Sequence, residues 1–526
     1  MRSNYLRYIF LIFAILIVIF AIVKIKGEEK NKNTQNNTSS ETTNTDQEIK
    51  DLNLGIASFD SINPILSKNK NVQDITKLIF EPLMTLDENY KLTPCLAKEW
   101  AKQNETTYII KLNDNRLWSD GSKFTADDVK FTIDRLKDSS TIYSSNIQHI
   151  TTVEVVDDTT IRIILDQEVP FFEYNLTFPI LSNTFYSTRE FASNIVPVGT
   201  GMYKVDEVTT TGLILLKNDK YPDYENLKID KITITTFASV GELYNSFKTG
   251  KIDIISTGEG NLKNYIGTIG YGSKEIKGRV HDFIAFNTQN KILSQLPVRK
   301  AIAQSIDKSN IISSVYGDNY YSSDFPLDYG NWLCSDENIG IEYNVNQAKQ
   351  ILIDDGWSFK YKYWQKIVDY KTQRISLNFV VKASDANRVN VATNITTQLE
   401  NQGIRVNLIK ANDSQYASYL TNKNYDMILC SMNLSISPDL STFFGTNNLA
   451  NYSNDEVTNI MNEIKNVTDE NKLKEDYKKL KEIYINDIPY LSLYNNKYVV
   501  AYNSGLAGNI QPNWFYLFYD FKNWHK

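Results

Sequence analysis

The stretch Arg116–Leu136, RLWSDGSKFTADDVKFTIDRL, joins a tight turn to the start of an amphipathic helix. Trp118 precedes a Ser-Asp-Gly segment, a composition typical of turns. Thr125 and Asp128 have the spacing of a capping box, in which a threonine and an acid three residues later each accept a backbone N–H group. The helix that follows places three apolar residues on one face, namely Val129, Ile133 and Leu136. The pattern predicts a loop followed by a helix that packs on a core.

The segments on either side alternate between strand and helix patterns. Upstream, PCLAKEW (Pro94–Trp100) leads into a predicted strand over Thr106–Leu112. Downstream, Val153–Leu165 (VEVVDDTTIRIIL) predicts a hairpin that turns at Asp157-Asp158. Near the start of the predicted folded part, a short alternating strand is followed by a predicted helix over Val72–Phe80. The order of these elements predicts a mixed α/β protein.

These motifs, taken in this order, resemble the family 5 extracellular solute-binding proteins, which are the peptide, dipeptide and nickel receptors of ABC importers. A combination of several spaced elements is specific, whereas an Asp-Gly turn alone carries little information. Four further segments resemble the family, namely PVGTGMYKV (197–205), KTGKIDII (248–255), PVRKAIAQSIDK (297–308) and AKQILIDDGW (348–357). The resemblance covers about residues 51 to 525.

The resemblance implies a periplasmic-binding-protein-like α/β fold with two lobes, three domains and a hinged ligand cleft. The implied first domain comprises residues 51–80, 200–290 and 490–526, the second comprises residues 81–199, and the third comprises residues 291–489. The implied function is capture of a small ligand, which we expect to be an oligopeptide, and its delivery to the permease subunits of an ABC importer. No cofactor is implied, and we expect a monomer.

Composition argues against several other classes of function. The 526 residues carry a net charge of -6 and have a pI near 5.4, whereas nucleic-acid binding requires a clustered basic surface. The three cysteines and three histidines are far apart and show no metal-ligand spacing (Cys95, Cys334, Cys430, His149, His281 and His525). The sequence therefore predicts no nucleic-acid partner, no disulfide framework and no metal site.

The N-terminal segment predicts a position outside the cytoplasm. Tyr8–Val23 (YIFLIFAILIVIFAIV) is an unbroken apolar run with basic residues on both sides, and its length lies between a signal-peptide core and a membrane-spanning helix. We expect residues 1–26 to be an uncleaved signal anchor, with a cleaved signal peptide as the alternative. Residues 27–50 are polar and are expected to form a disordered tether. The folded part would then be tethered to the outer face of the cell membrane.

Tyr425–Phe444, YDMILCSMNLSISPDLSTFF, is the candidate ligand-facing stretch. An apolar strand, Met427–Leu429, leads into small polar residues and one isolated acid, Asp439. Such a pattern is typical of a cleft between lobes, although a core strand followed by an ordinary loop looks the same. In peptide-binding family members, an aspartate of an Asp-Tyr element in this region pairs with the ligand's α-amino group. That element is missing here, so two alternatives stay open for Asp439: ligand binding, or capping of a helix suggested by Leu440–Phe444.

Four other residues are candidates for lining the ligand site. Met432 and Asn433 lie where the strand leaves the core, Phe59 follows the first strand, and Phe283 lies on the crossover towards the third domain. Methionine and aromatic walls with a few polar groups suit ligands whose side chains vary. Each residue could instead pack in the core or the hinge, which is the alternative we favour for Phe283.

The second half of the chain carries its own helix and strand signals. Pro297 suits the first turn of a helix, and Ser384 and Asn454 suit N-cap positions. Leu491, Leu493 and Val499 follow Pro489 and are predicted to lie on returning strands.

A serine acyl-enzyme of the penicillin-binding type is the competing interpretation. Ser305–Lys308 fits S-x-x-K, Ser431–Asn433 fits S-x-N, and Lys248–Gly250 is K-T-G. However, K-T-G comes first in the chain, and Ser305 is predicted to lie late in its helix instead of at its start. The sequence contains no G-x-S-x-G, H-E-x-x-H or Walker motif. We therefore predict that the protein is not an enzyme, and a ligand sensor without transport is a further alternative.

Overall fold

A computed structural model describes residues 50–189, 195–258, 266, 270–317, 319–327, 330–334 and 340–526. The predicted anchor and nearly all of the predicted tether lie outside the described residues. Within the part of the chain that is described, no helix is both long enough and apolar enough to cross a membrane.

The strands of the described residues are β1 Asp51–Ile56, β2 Met84–Leu86, β3 Leu92–Pro94, β4 Ala97–Asn104, β5 Thr107–Leu112, β6 Ile150–Asp157, β7 Thr160–Leu165, β8 Tyr203–Thr209, β9 Gly212–Lys217, β10 Lys231–Thr236, β11 Ile254–Thr257, β12 Tyr271–Phe286, β13 Tyr320–Ser322, β14 Ser358–Lys360, β15 Tyr363–Val368, β16 Lys371–Arg374, β17 Ser376–Lys382, β18 Arg405–Ala411, β19 Met427–Asn433 and β20 Tyr490–Asn503.

The α-helices of the described residues are α1 Lys70–Thr76, α2 Ala126–Asp138, α3 Ser144–Ile147, α4 Asn183–Tyr186, α5 Val240–Lys248, α6 Leu296–Gln304, α7 Lys308–Tyr316, α8 Val345–Asp354, α9 Ala386–Asn401, α10 Asp413–Asn422, α11 Ser441–Phe444, α12 Asp455–Glu463 and α13 Glu470–Asp487. A short 3-10 helix, Phe172–Leu176, lies beside β2 and contributes to the candidate site described below.

Two long strands occupy the middle of the main sheet. Its order is β18-β17-β19-β12-β20-β11-β1-β10-β9-β8, and β13 also pairs with β20. The strands β12 and β20 are antiparallel to each other, while β19 pairs with β12 on one side and β11 pairs with β20 on the other. These two crossing strands therefore join the half of the sheet built from β17–β19 to the half built from β1 and β8–β11. The predicted mixed α/β class is confirmed.

The smaller sheets lie within single stretches of the chain. The strands β4, β5, β7 and β6 form a four-stranded antiparallel sheet, and β14, β15 and β16 form a three-stranded meander. The first of these lies inside the predicted second domain and the second lies inside the predicted third domain. The domain boundaries themselves stay a prediction.

Strand β19 is buried on both faces, as its continuous apolar run predicts. Met427 and Leu429 point into a core that also contains Phe379, Ile395 and Leu493. Ile428 and Cys430 point into a core on the other face, which also contains Phe443, Tyr477 and Tyr484. The strand therefore fixes the start of the following polar loop relative to both layers of helices.

Most local predictions are confirmed, and two are corrected. The capping box of Thr125 and Asp128, the proline in the first turn of α6 and the Asn454 cap are present. The predicted Ser384 cap is wrong, because the neighbouring Asp385 accepts from the Arg388 N–H at 3.0 Å while the Ser384 hydroxyl donates to Asp413. The helix predicted over residues 72–80 is also shorter, since α1 ends at Thr76 and continues as a turn.

Candidate functional site

The centre of the crossing strands is irregular and polar. The register between β12 and β20 shifts between Lys277 and His281. Asparagine side chains replace the missing ladder bonds: Asn496 Oδ1 accepts from the Val280 N–H at 2.9 Å, and Asn495 Nδ2 donates to the Gly278 carbonyl at 3.4 Å. A register shift bends and twists a strand pair locally, so the pairing of the two long strands is irregular where they join the two halves of the sheet.

His281 is buried in this irregular region and is held as a neutral imidazole. Its Nδ1 lies 2.8 Å from Asn495 Oδ1, and its Nε2 lies 3.2 Å from the Ser492 hydroxyl. Burial lowers the pKa of His281 to about 4, although the Asn495 contact favours the charged form. The ring is therefore uncharged near neutral pH and acts as a hydrogen-bonding spacer between the strands.

Asp282, the next residue on β12, is fully buried and paired with Arg388 of α9. The Arg388 Nε and Nη2 atoms donate to the two carboxylate oxygens at 3.0 and 3.1 Å. Arg388 also donates to the Asp385 carboxylate and the Ser431 hydroxyl. The two-pronged geometry compensates the buried charge and ties α9 to the crossing strands.

Arg279 connects the polar loop after β19 to the opposite half of the molecule. Its Nη2 and Nε donate to the Leu434 carbonyl at 2.7 and 3.2 Å. The same guanidinium lies 5.3 Å from the ring centre of Trp514 and 5.9 Å from that of Tyr90. Ile436 of the loop also packs against the core that surrounds β1. The loop after β19 therefore lies at the junction between the two halves, where the sequence analysis placed the ligand-facing edge.

Asp439 lies at the entrance of α11. Its Oδ1 accepts from the backbone N–H of Ser441 at 3.0 Å and from the Ser441 hydroxyl at 2.6 Å. Burial and the nearby Asp439 charge hold the pKa of Tyr477 well above its usual value, and the Tyr477 hydroxyl donates to the Pro438 carbonyl at 2.7 Å. The N-cap residue of α11 is Leu440, so Asp439 contacts the first helical residue from the position before the cap. Both alternatives for Asp439, ligand binding and helix capping, stay predictions.

The other four candidates divide between surface and core. Met432 is half-buried and Asn433 is exposed, and they lie opposite His281 and Val280 in the ladder. Phe59 is 38% exposed, in a loop whose turn is fixed by Asp60. Phe283 is 1% exposed and packs against Phe443 and Tyr490, which matches the packing alternative. Their roles in ligand binding stay predictions.

Two of the short motifs of the acyl-enzyme interpretation, S-x-x-K and K-T-G, serve structural roles. The Ser305 hydroxyl is buried and donates to the Ala301 carbonyl at 2.7 Å. The Lys308 ammonium donates to Asp324 at 2.7 Å, and K-T-G lies at the C-terminal end of α5. A penicillin-binding site instead requires the serine and lysine side by side and K-T-G on a neighbouring strand.

A cavity of about 1290 Å³ opens between the four-stranded sheet and the helix pair α12–α13. One wall is aromatic and comes from separate segments, with Trp100, Tyr108, Phe171, Tyr174 and Trp332 as its members. The opposite wall is the connection between the two helices, residues 464–468, together with Leu473. The volume exceeds the range of about 300–1,000 Å³ usual for small-ligand pockets. None of the five candidates from the sequence lies among its lining residues.

Polar contacts close the rim of this cavity. The Lys102 ammonium of β4 donates to Asn466 Oδ1 at 2.8 Å and pairs with Glu168 at 3.0 Å. Lys91 pairs with Glu470 of α13 at 2.7 Å, and the Trp332 indole donates to the Tyr174 hydroxyl at 3.3 Å. The contacts made by Lys102 and Lys91 hold the four-stranded sheet region against the helix pair.

Over the described ranges, no group of three or more His, Cys, Asp or Glu side chains is arranged as a metal site.

Comparison with known proteins identifies the family. Residues 91–455 match the bacterial extracellular solute-binding proteins, family 5 middle. The chain is 25% identical over 289 residues to the periplasmic murein peptide-binding protein MppA of Escherichia coli, covering 49% of this chain and 52% of that protein.

Solved structures show the same fold. The unliganded open form of MppA superposes with a TM-score of 0.76 at 19% identity, covering 88% of this chain and 94% of that chain. A nickel ABC transporter structure from Bacillus halodurans superposes with a TM-score of 0.75 at 20% identity, covering 88% of this chain and 97% of that chain. The oligopeptide-binding protein AppA of Bacillus subtilis, in complex with a nonapeptide, superposes with a TM-score of 0.57 at 21% identity. The match covers 91% of this chain and 99% of that chain.

These neighbours confirm the two-lobed periplasmic-binding-protein fold that the motif order predicted. The family match spans more than half of the chain, and it includes both the four-stranded sheet and most of the β17–β19 half. The chain belongs to family 5 of the bacterial extracellular solute-binding proteins, the binding components of ABC importers.

Proposed function

We propose that the protein captures an oligopeptide between its two lobes and delivers it to an ABC importer. The observation that carries this proposal is the cavity of about 1290 Å³ between the four-stranded sheet and the helix pair α12–α13. The helix pair and Trp332 pack in one core with β19, whereas Trp100 and Tyr108 pack in the core around β1. The cavity therefore lies between regions on opposite sides of the crossing strands. A change in the angle of those strands would open and close the cavity.

The size and chemistry of the cavity support a peptide. A peptide presents a polar backbone with side chains that vary, and aromatic walls accept such ligands because their rings contact many shapes. The names of MppA and AppA also state peptide ligands. The Bacillus halodurans relative is named for nickel, which makes a nickel complex the ligand to test against peptides.

The proposal includes the organisation of the whole receptor. Residues 51–80, 200–290 and 490–526 form the first domain, residues 81–199 the second and residues 291–489 the third. The protein acts as a monomer without enzymatic activity, and residues 1–26 anchor it to the outer face of the membrane through the tether of residues 27–50. The permease subunits of the importer are its membrane partner.

Ligand identity can be tested with the native protein. Mass spectrometry of ligand that co-purifies with the full-length protein should detect peptides, and thermal unfolding with a peptide library should show stabilised members. A ligand at 100 times its Kd stabilises the folded state by about 2.7 kcal/mol. If nickel-histidine complexes raise the Tm while no peptide does, the peptide assignment fails.

Transport and sensing are separated by an uptake measurement. Cells that lack the gene should lose uptake of a labelled peptide that the purified protein binds, and the gene supplied in trans should restore it. Unchanged uptake in the deletion strain would instead favour the sensor alternative.

A further inference from the structure

We propose that Glu173 and the aromatic side chains beside it form the subsite for a cationic group of the ligand, either the α-ammonium of a peptide or a lysine or arginine side chain within it. This inference rests on the proposed peptide-receptor function. It adds the residue that would select the charge of the ligand, in a wall of the cleft far from Asp439 in the sequence.

Glu173 lies in the aromatic wall of the cavity. It belongs to the 3-10 helix Phe172–Leu176, between Phe171 and Tyr174 in the sequence, and all three residues line the cavity. Burial and the charge of Glu173 together raise the pKa values of Tyr108 and Tyr174, the latter to about 12. Both phenol rings therefore lie within electrostatic reach of the carboxylate.

Glu173 has no counter-ion among the residues that the structure describes. The three lysines that line the cavity are already engaged: Lys91 with Glu470 at 2.7 Å, Lys102 with Glu168 at 3.0 Å, and Lys465 with Glu168 at 4.0 Å. Among the described residues, Glu173 forms no ion pair. Burial raises its pKa, and its own backbone N–H and the more distant Lys102 charge only partly offset this effect. A carboxylate that is partly desolvated and lacks a counter-ion is stabilised when a cation binds beside it.

The surrounding rings suit the same ligand group. An ammonium or guanidinium group over an aromatic face is attracted by the ring's quadrupole, and the attraction grows when water is excluded. The lysine on this wall already shows the preference, since the Lys91 ammonium lies 5.5 Å from the ring centre of Trp332. A ligand cation that enters beside Glu173 would thus meet a negative charge and aromatic faces together.

The backbone before Glu173 is held in an uncommon conformation. Phe171 has φ +53°, a left-handed value that costs a bulky residue conformational energy. Its ring contacts Tyr174 at 6.3 Å and Tyr477 of α13 at 6.4 Å between centroids. The packing that holds Phe171 therefore also directs the first turn of the 3-10 helix, and Glu173 with it, to the cavity.

Glu173→Gln tests the proposal because it removes the charge and keeps the shape. The control is Glu207→Gln, since Glu207 is exposed on β8 and does not line the cavity. Three hexapeptides of alanine and serine serve as probes: one acetylated and amidated without charge, one with a free α-amine, and one acetylated with a single internal lysine. Affinities are measured by isothermal titration calorimetry on the full-length protein in mild detergent at neutral pH.

The wild-type protein and Glu207→Gln should bind at least one cationic hexapeptide about tenfold or more tightly than the uncharged one. Glu173→Gln should lose that preference and keep the affinity for the uncharged hexapeptide, which also shows that the variant is folded. The two cationic probes distinguish recognition of a peptide terminus from recognition of a side chain.

Two results would overturn the inference alone: a wild-type protein that binds the hexapeptides without a charge preference, or a Glu173→Gln variant that keeps the preference. Absence of binding of any peptide, including library members, would overturn the peptide-receptor function and this inference together.

Discussion

Asp282 on the crossing strands is fully buried and Glu173 in the cavity wall is half-buried, and the two acids differ in their partners. Asp282 is fully buried and meets Arg388 through two hydrogen bonds. Burial raises the pKa of both carboxyls, but Glu173 forms no ion pair among the described residues. A buried charge that is paired internally supports the fold, whereas one that faces a cavity without a partner is suited to a ligand. The crossing strands should therefore control stability, and the cavity wall should control binding.

The largest effect is expected when the internal pair is broken. Arg388→Met removes the counter-ion and leaves Asp282 buried and uncompensated, which should lower the free energy of unfolding by about 3–5 kcal/mol. Urea-induced unfolding measures this change. Arg405→Met, at an exposed position on β18, is the control and should stay within about 0.5 kcal/mol of the wild type. Equal effects of the two substitutions would contradict the structural role of the pair.

A second prediction concerns pH and the neighbouring His281. The pKa of His281 is about 4 in the folded protein and 6.5 in the unfolded chain. Between pH 4 and pH 6.5 the folded state therefore binds fewer protons than the unfolded state. Above about pH 6.5 His281 should not change the free energy of unfolding with pH. As the pH drops from there to about 4, that free energy should fall by about 3 kcal/mol. Unfolding of His281→Gln measured over the same pH range should lack this part of the loss. Parallel pH profiles of the two proteins would rule out His281 as the cause.

A smaller loss is expected from Gly278→Ala at the register shift. A Cβ atom here would lie 2.3 Å from Asn496 Oδ1, the atom that accepts from the Val280 N–H. The asparagine must move, and such overpacking costs about 1–3 kcal/mol. Gly241→Ala in α5 is the control, because the nearest atom to its added Cβ is 3.8 Å away. Thermal unfolding should show a lower Tm for the first variant only; a drop of the same size in both would point to a general effect of alanine.

The smallest effect on stability is expected at the cavity rim. Lys102→Met removes the contacts to Asn466 and Glu168, and partly exposed pairs of this kind contribute about 0–1 kcal/mol. Because the contact joins the two cavity walls, a bound peptide should dissociate up to about fivefold faster. Stopped-flow dissociation measures this rate, with the exposed Lys130→Met as the control. Identical dissociation rates in all three proteins would separate the rim contact from ligand retention.

Much of the fold was predictable because its signals are local. The Thr125–Asp128 capping box needs only adjacent residues, and the hairpin at Asp157-Asp158 needs only its own two strands. The order of such motifs along the chain then indicated the family before any long-range contact was known. The wrong prediction of a Ser384 cap shows where local signals fail. Two neighbouring residues, Ser384 and Asp385, could cap α9, and the Ser384 hydroxyl instead donates to Asp413.

The crossing strand β20 was harder to predict. The sequence pattern predicted several returning strands, whereas Tyr490–Asn503 is one strand of 14 residues. The polar run of Asn495, Asn496 and Lys497 interrupts the apolar pattern. The two asparagines are buried nonetheless, because β12 supplies their hydrogen-bond partners. Those partners lie more than 200 residues away, so no local pattern could reveal them.

The cavity was also missed, and for a similar reason. Its aromatic wall draws on β4, β5, the 3-10 helix and the segment around Trp332, which only the tertiary structure brings together. One signal was nevertheless present: Glu173 is a lone acid in the aromatic run PFFEY, residues 170–174. The candidates chosen instead, Asp439 and Phe283, engage a helix entrance and a core in the structure.

The paired strands β12 and β20 have a mechanical consequence. Two hydrogen-bonded strands resist sliding past each other because sliding would break their ladder of hydrogen bonds. Twisting and bending are easier where that ladder is interrupted. Any change in the angle between the halves of the sheet would therefore be concentrated at the interrupted part of the ladder. A flexible connection between the two halves would lose conformational entropy when a ligand bound between them. The paired strands β12 and β20 are already ordered without a ligand. More of the intrinsic free energy of ligand contacts can then appear as affinity.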